Sequence, residues 1–243
     1  MGEHTIREVL KRRSSETQRE LQKRRDQMFR GKRSRIPLAI AAVIVLAIAA
    51  AAVYGGILAS KISHRLAAEI SLQNAHPTEN INLQSATAFL PNTLLAVLDP
   101  GFYNASATTV SPVTRRLVRL YFPGASGLDV HIMAAVAQIK FDRTAILQAY
   151  LNDVPMGDDN GAPIVGYANA SKVYFHQPFA QLQPQQIALL VAIMMNPGKN
   201  DPRRFPDKAL ASRNQVIQAD VTQTVLSQDQ GNALSKMPLS PSP

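Results

Sequence analysis

Side chains able to do chemistry are sparse in this sequence and unevenly placed. There is no cysteine, which removes disulfides, thiolate nucleophiles and thiolate metal ligands together. The histidines His4, His64, His76, His131 and His176 show none of the short spacings by which imidazoles share a metal, so no metal site and no cofactor is expected. Glutamate stops at Glu79, and any acid–base chemistry beyond it must use another group. Asp158-Asp159-Asn160-Gly161 offers the oxygens that Ca²⁺ takes, but it lacks the alternation and closing Glu of a calcium loop and reads as a turn. Arg115, Arg116 and Arg119 stand among apolar residues at helical spacing. Taken alone they make a solvated basic helix face, or one turned to lipid headgroups.

Charge and hydropathy set the frame for these groups. Residues 1–35 carry 12 Lys/Arg against 5 Asp/Glu, and the rest of the chain carries 14 against 12, so the formal +9 is mostly N-terminal. The high pI is therefore no sign of a nucleic-acid partner. Residues 36–59 contain no charged side chain. As a helix they would span roughly 36 Å, enough for a hydrocarbon core of about 30 Å. Arg30, Lys32, Arg33 and Arg35 crowd one flank, while Lys61 and Arg65 follow on the other. The positive-inside rule then leaves the N-terminus in the cytoplasm and the C-terminal domain in the periplasm or outside the cell. The run is too long for the apolar core of a cleaved signal peptide and is expected to be an uncleaved single-pass anchor. Before it, Glu3/Arg7, Glu8/Arg12 and Glu20/Arg24 give a charged helix drawn to the bilayer's anionic lipids.

The remaining chain reads as mainly α. The linker over residues 60–86 reads as a continued helix leading into a polar stretch, broken at His76-Pro77, and beyond it helices are expected over 87–98, 113–122, 128–140, 143–151, 165–175, 185–195 and 208–227. Asp99-Pro100-Gly101 and Pro123-Gly124 close two of them, and Asp142 is placed to cap another. Residues 157–166 read as a Gly/Asp/Asn-rich loop, and residues 228–243, ending in Pro and Ser, as a disordered tail. Ile132, Val136, Leu147, Leu151, Leu189 and Ile193 fall on apolar faces and are the expected core.

Several blocks in order carry a resemblance. Ile146-Leu147-Gln148-Ala149-Tyr150-Leu151-Asn152 followed by Gly157, then Gly166 with Ala168 to Ala170 and Val173-Tyr174-Phe175, then Gln177-Pro178 with Leu182, then Ala188-Leu189-Leu190 through Asn196-Pro197, then Ala211-Ser212-Arg213-Asn214-Gln215-Val216-Ile217. Together they resemble the peptidoglycan glycosyltransferase domain (glycosyltransferase family 51) of class A penicillin-binding proteins and monofunctional transglycosylases. The resemblance covers residues 91–217 and implies a lysozyme-like helical fold for residues 87–227.

That family polymerises lipid II, with a glutamate as general base and basic side chains on the donor pyrophosphate. Here the resemblance is degenerate. Leu98 stands where the base belongs, beside Asp99, and some thirty residues that normally follow are missing. The next motif persists as residues 106–117, where Thr109 and Ser111 keep hydroxyls and Arg116 keeps a positive charge. Gln138 occupies a position where the family shows Glu. The resemblance thus implies a catalytically inactive domain serving as a binding or structural subunit of a membrane or cell-envelope complex. Its alternative is an atypical active enzyme, with Asp99 as base and Arg115, Arg116 and Arg119 on the pyrophosphate of lipid II. Thr109, Ser111, Arg115, Arg116 and Asn152 are the substrate-binding candidates, and lipid II or peptidoglycan is the ligand that either reading implies.

Overall fold

An unbroken run of Ala, Ile, Val and Leu winds into the longest element, α2 (Ile36–Ala75). In this computed structural model residues 16–25, 36–76, 80–83, 88–106 and 109–239 are described. The chain divides into two units, Met1–Val53 and Tyr54–Pro243. In the first unit, α1 (residues 16–25) carries Glu20 and Arg24 on an exposed helix. The Glu3/Arg7 and Glu8/Arg12 pairs and the basic cluster of residues 30–35 lie outside the described residues. From Ala39 onward α2 is long and apolar enough to cross a bilayer, and its most apolar stretch is exposed throughout.

Within the second unit, α2 changes character. Leu58, Ile62 and Leu66, one turn apart, are each no more than 4% exposed. The helix expected to continue past residue 60 runs to Ala75. The chain continues through α3 (Phe89–Leu98), α4 (Pro112–Tyr121), α5 (Gly127–Lys140) and α6 (Arg143–Asp153). A hairpin of β1 (Pro155–Asp159) and β2 (Ala162–Val165) follows, then α7 (Tyr167–Phe175) and a 3₁₀ turn at Phe179–Gln181. Helices α8 (Pro184–Met195), α9 (Pro197–Asn200), α10 (Pro206–Thr222) and α11 (Gln228–Ser235) complete it. Proline opens α4, α8, α9 and α10, where its missing N–H and fixed φ suit the first turn. Ser126 and Asp129 form a capping box on α5. Asp142 stands at the N-cap of α6 but makes no side-chain capping bond.

The fold is mainly α, as expected. Its core gathers on α8, buried continuously from Ile187 to Met194 and packed against α10 and α3. Leu147, Leu151, Leu189 and Ile193 are each at most 1% exposed. Ile132 and Val136 are only partly buried, which corrects the face assigned to α5. Its inward side is Val130, Met133, Ala134 and Ala137, small enough to let α4 approach closely.

Two further expectations are corrected. The segment read as a loop is the β1–β2 hairpin, antiparallel, with Asp159 paired to Ala162. Asn160 (φ 51°) and Gly161 (φ 90°) supply the two left-handed residues that a two-residue hairpin turn needs. The segment read as a disordered tail carries α11. Ser227 caps it, and Gly231 lets it seat on α10, since a Cβ there would lie 2.4 Å from Val221 Cγ2. Arg213, 1% exposed, donates to the carbonyls of Ser235 (3.1 Å) and Pro238 (3.2 Å), which satisfies groups at the helix end. Residues 240–243 lie outside the described residues.

Candidate functional site

Helix α4 carries a polar cluster at its start and a basic groove along its later turns. At the start, Ser111 is the N-cap: its hydroxyl accepts from Thr114 N–H (3.2 Å) and donates to Asp99 Oδ2 (2.5 Å). Ser111 N–H donates to Gln138 Oε1 (2.7 Å), and Gln138 Nε2 donates to Thr109 O (3.0 Å). The Thr109 hydroxyl lies 3.1 Å from that of Ser106. Asp99 is 8% exposed and sits at the N-terminal end of α4. The preceding loop is packed down by Phe102, 1% exposed, and by Arg143, which donates to Ala105 O (2.7 Å).

Farther along α4, exposed Arg116 and Arg119 wall a cavity of about 400 Å³. Tyr150 of α6, Met194 of α8 and Pro197 of α9 close its other sides. Tyr150, 3% exposed, donates its hydroxyl to Met194 Sδ (3.2 Å). Burial pushes the Tyr150 hydroxyl pKa up, against the pull of the neighbouring Arg116 guanidinium. Two cations over a partly apolar cleft can hold a phosphate-bearing ligand with an apolar portion.

The predicted residues therefore separate. Asp99, Thr109 and Ser111 come together with Gln138 at the start of α4, while Arg116 joins the groove. Arg115 is exposed but is not among the groove's walls. Asn152 lies elsewhere: its Oδ1 accepts from Ile81 N–H (2.7 Å), and its Nδ2 donates to Ile81 O (3.0 Å) and Gln73 Oε1 (3.2 Å). Its amide is fully occupied in pinning the segment after α2. Asp158 and Asp159 pair with Arg204 (2.9 Å) and Arg203 (2.9 Å), clamping the hairpin to the turn before α10. No group of three His, Asp or Glu able to hold a metal occurs among the described residues. Tyr150 and Pro197 went unassigned by sequence reasoning, although a lone hydroxyl in the buried stripe of α6 was a usable signal.

Residues 128–221 match the Transglycosylase family. That match takes in 94 of the 243 residues, all in the C-terminal half of the chain. It is 33% identical over 94 residues to penicillin-binding protein 1B of Vibrio cholerae serotype O1, covering 39% of this chain and 12% of that one. To penicillin-binding protein 1B of Escherichia coli K12 it is 32% identical over 111 residues, covering 46% and 13%. To penicillin-binding protein 1A of Mycolicibacterium smegmatis it is 34% identical over 132 residues, covering 53% and 16%. The chain thus spans well under a fifth of these relatives. A crystal structure of penicillin-binding protein 1A from Haemophilus influenzae aligns over 67% of this chain and 18% of its own, at 17% identity and a TM-score of 0.46. In the groove, the transglycosylase match contributes Tyr150, Met194 and Pro197, while Arg116 and Arg119 precede it.

Proposed function

We propose that this chain is a membrane-anchored, peptidoglycan glycosyltransferase-like protein that binds a lipid-linked glycan precursor without polymerising it. Its apolar helix crosses the bacterial inner membrane with the basic N-terminus in the cytoplasm, and the helical unit works on the other side as a binding or structural subunit of an envelope complex. The observation that carries this reading is the state of Asp99. It is the acidic side chain nearest the expected base position, yet it is buried and held by the hydroxyl that caps α4. Gln138, where the family resemblance expects a second carboxylate, is a neutral amide bracing Thr109 and Ser111. General-base assistance is worth roughly 10²–10⁴ in rate.

The groove supports retention of binding. Arg116 and Arg119 face the same cavity, and a pyrophosphate there would meet both. Labelled lipid II is expected to bind the purified protein without growing into chains. Arg116→Ala with Arg119→Ala should weaken that binding about tenfold and reduce its salt dependence. Unchanged affinity in the double variant would remove the groove from the account.

A further inference from the structure

A second cavity of about 400 Å³ lies where α2 enters the C-terminal unit, lined by Ile57, Leu58 and Met133 below and by Lys61 and Asp129 at its rim. Tyr54, also in its wall, donates its hydroxyl to Asp129 Oδ1 (2.7 Å). Tyr54 stands near the end of the uncharged run, where a tyrosine ring favours the membrane–water interface. Lys61 follows seven residues later, roughly 10 Å along the helix, at headgroup height.

The rim charges are opposite but do not close on each other. Asp129 is fixed from two sides, by the Tyr54 hydroxyl and by Ser126 N–H (3.3 Å to Oδ2) within the α5 capping box. Lys61 acts on that carboxylate from a distance and, among the described residues, has no carboxylate within ion-pair range. Arg65, the next cation along α2, is engaged with Glu69 (2.7 Å) and with the ring of Tyr121 (5.2 Å). A lone ammonium and a fixed carboxylate thus face the same space over an apolar floor.

We propose that this cavity binds one zwitterionic phospholipid of the adjoining leaflet, its phosphate on Lys61, its primary ammonium on Asp129 and the start of an acyl chain along Ile57, Leu58 and Met133. A primary ammonium donates hydrogen bonds to a carboxylate, whereas the quaternary ammonium of phosphatidylcholine has no N–H to give. Phosphatidylglycerol carries the phosphate but no cation for Asp129. The site is separate from the arginine groove and owes nothing to lipid II.

The test is native mass spectrometry of the full chain in detergent, titrated separately with phosphatidylethanolamine, phosphatidylcholine and phosphatidylglycerol. Phosphatidylethanolamine should be retained most strongly. Lys61→Ala should reduce its retention about fivefold, the ceiling for one exposed ion pair. Asp129→Asn should erase the preference over phosphatidylglycerol while leaving phosphate-dependent binding. Should that variant weaken the α5 cap, Lys61→Ala decides alone, because Lys61 is exposed and its side chain holds no ion pair among the described residues. Equal retention of the three lipids, preference for phosphatidylglycerol, or indifference to Lys61→Ala would overturn the proposal.

Discussion

At the scale of single residues, the decisive groups are polar side chains whose partners no spacing rule foretells. Asp99 is read from the sequence as a weak candidate base, yet it bonds to a hydroxyl that serves as a helix cap. Asn152 belongs to the best-matched block and is nevertheless committed to the backbone of Ile81. Both partners come from distant segments, so neither was legible locally. Asp220 is a third case. It is fully buried and accepts from Thr93 Oγ1 (3.0 Å), and its other oxygen has no partner among the described residues. Burial pushes its carboxyl up to about 6, above its usual range. Between about pH 4 and 6 the folded chain therefore holds a proton that the unfolded chain has released, and stability falls as pH rises through that window. Asp220→Asn should remove this slope: thermal unfolding of variant and parent should diverge as pH rises from 4 to 7, in the variant's favour. Parallel profiles would show that Asp220 is not the group responsible.

At the scale of elements, helices bounded by proline were readable, because that signal acts within one turn. The α5 face was not. Its apolar residues nearly encircle the helix, so periodicity alone does not choose between Ile132, Val136 and Ile139 on one side and Val130, Met133, Ala134 and Ala137 on the other. Close packing against α4 selects the smaller set and leaves Ile139 76% exposed. The hairpin was readable in principle from Asn160-Gly161, but its strands carry Pro, Gly and Asp, poor β-formers rescued by tertiary contacts. Those contacts include Arg203 and Arg204 on its acidic residues and Tyr174, whose hydroxyl donates to Met156 O (2.9 Å). After β2, Gly166 (φ 75°) turns the chain into α7, and a Cβ there would lie 2.3 Å from Asn152 O. Gly166→Ala combines left-handed strain with a backbone clash and should cost about 1–3 kcal/mol in denaturant unfolding. A variant as stable as the parent would mean that the turn relaxes freely.

At the scale of the whole molecule, the proposed topology rests on the charge imbalance around the apolar helix. A periplasm-dependent reporter fused after Pro243 should be active, and the same fusion should lose activity when Arg30, Lys32, Arg33 and Arg35 are replaced by Glu. Activity of a cytoplasm-dependent reporter at that site in the parent chain would reverse the proposed orientation. After the apolar helix the chain keeps the packed helical part that matches the transglycosylase family and a groove with two arginines, but no glutamate after Glu79. The most direct test is to incubate the purified full chain with lipid II and resolve the products by size. No glycan chains are predicted, nor any from Leu98→Glu, since a base restored alone does not rebuild the missing segment. Glycan chains made by the native protein and abolished by Asp99→Ala would contradict the account.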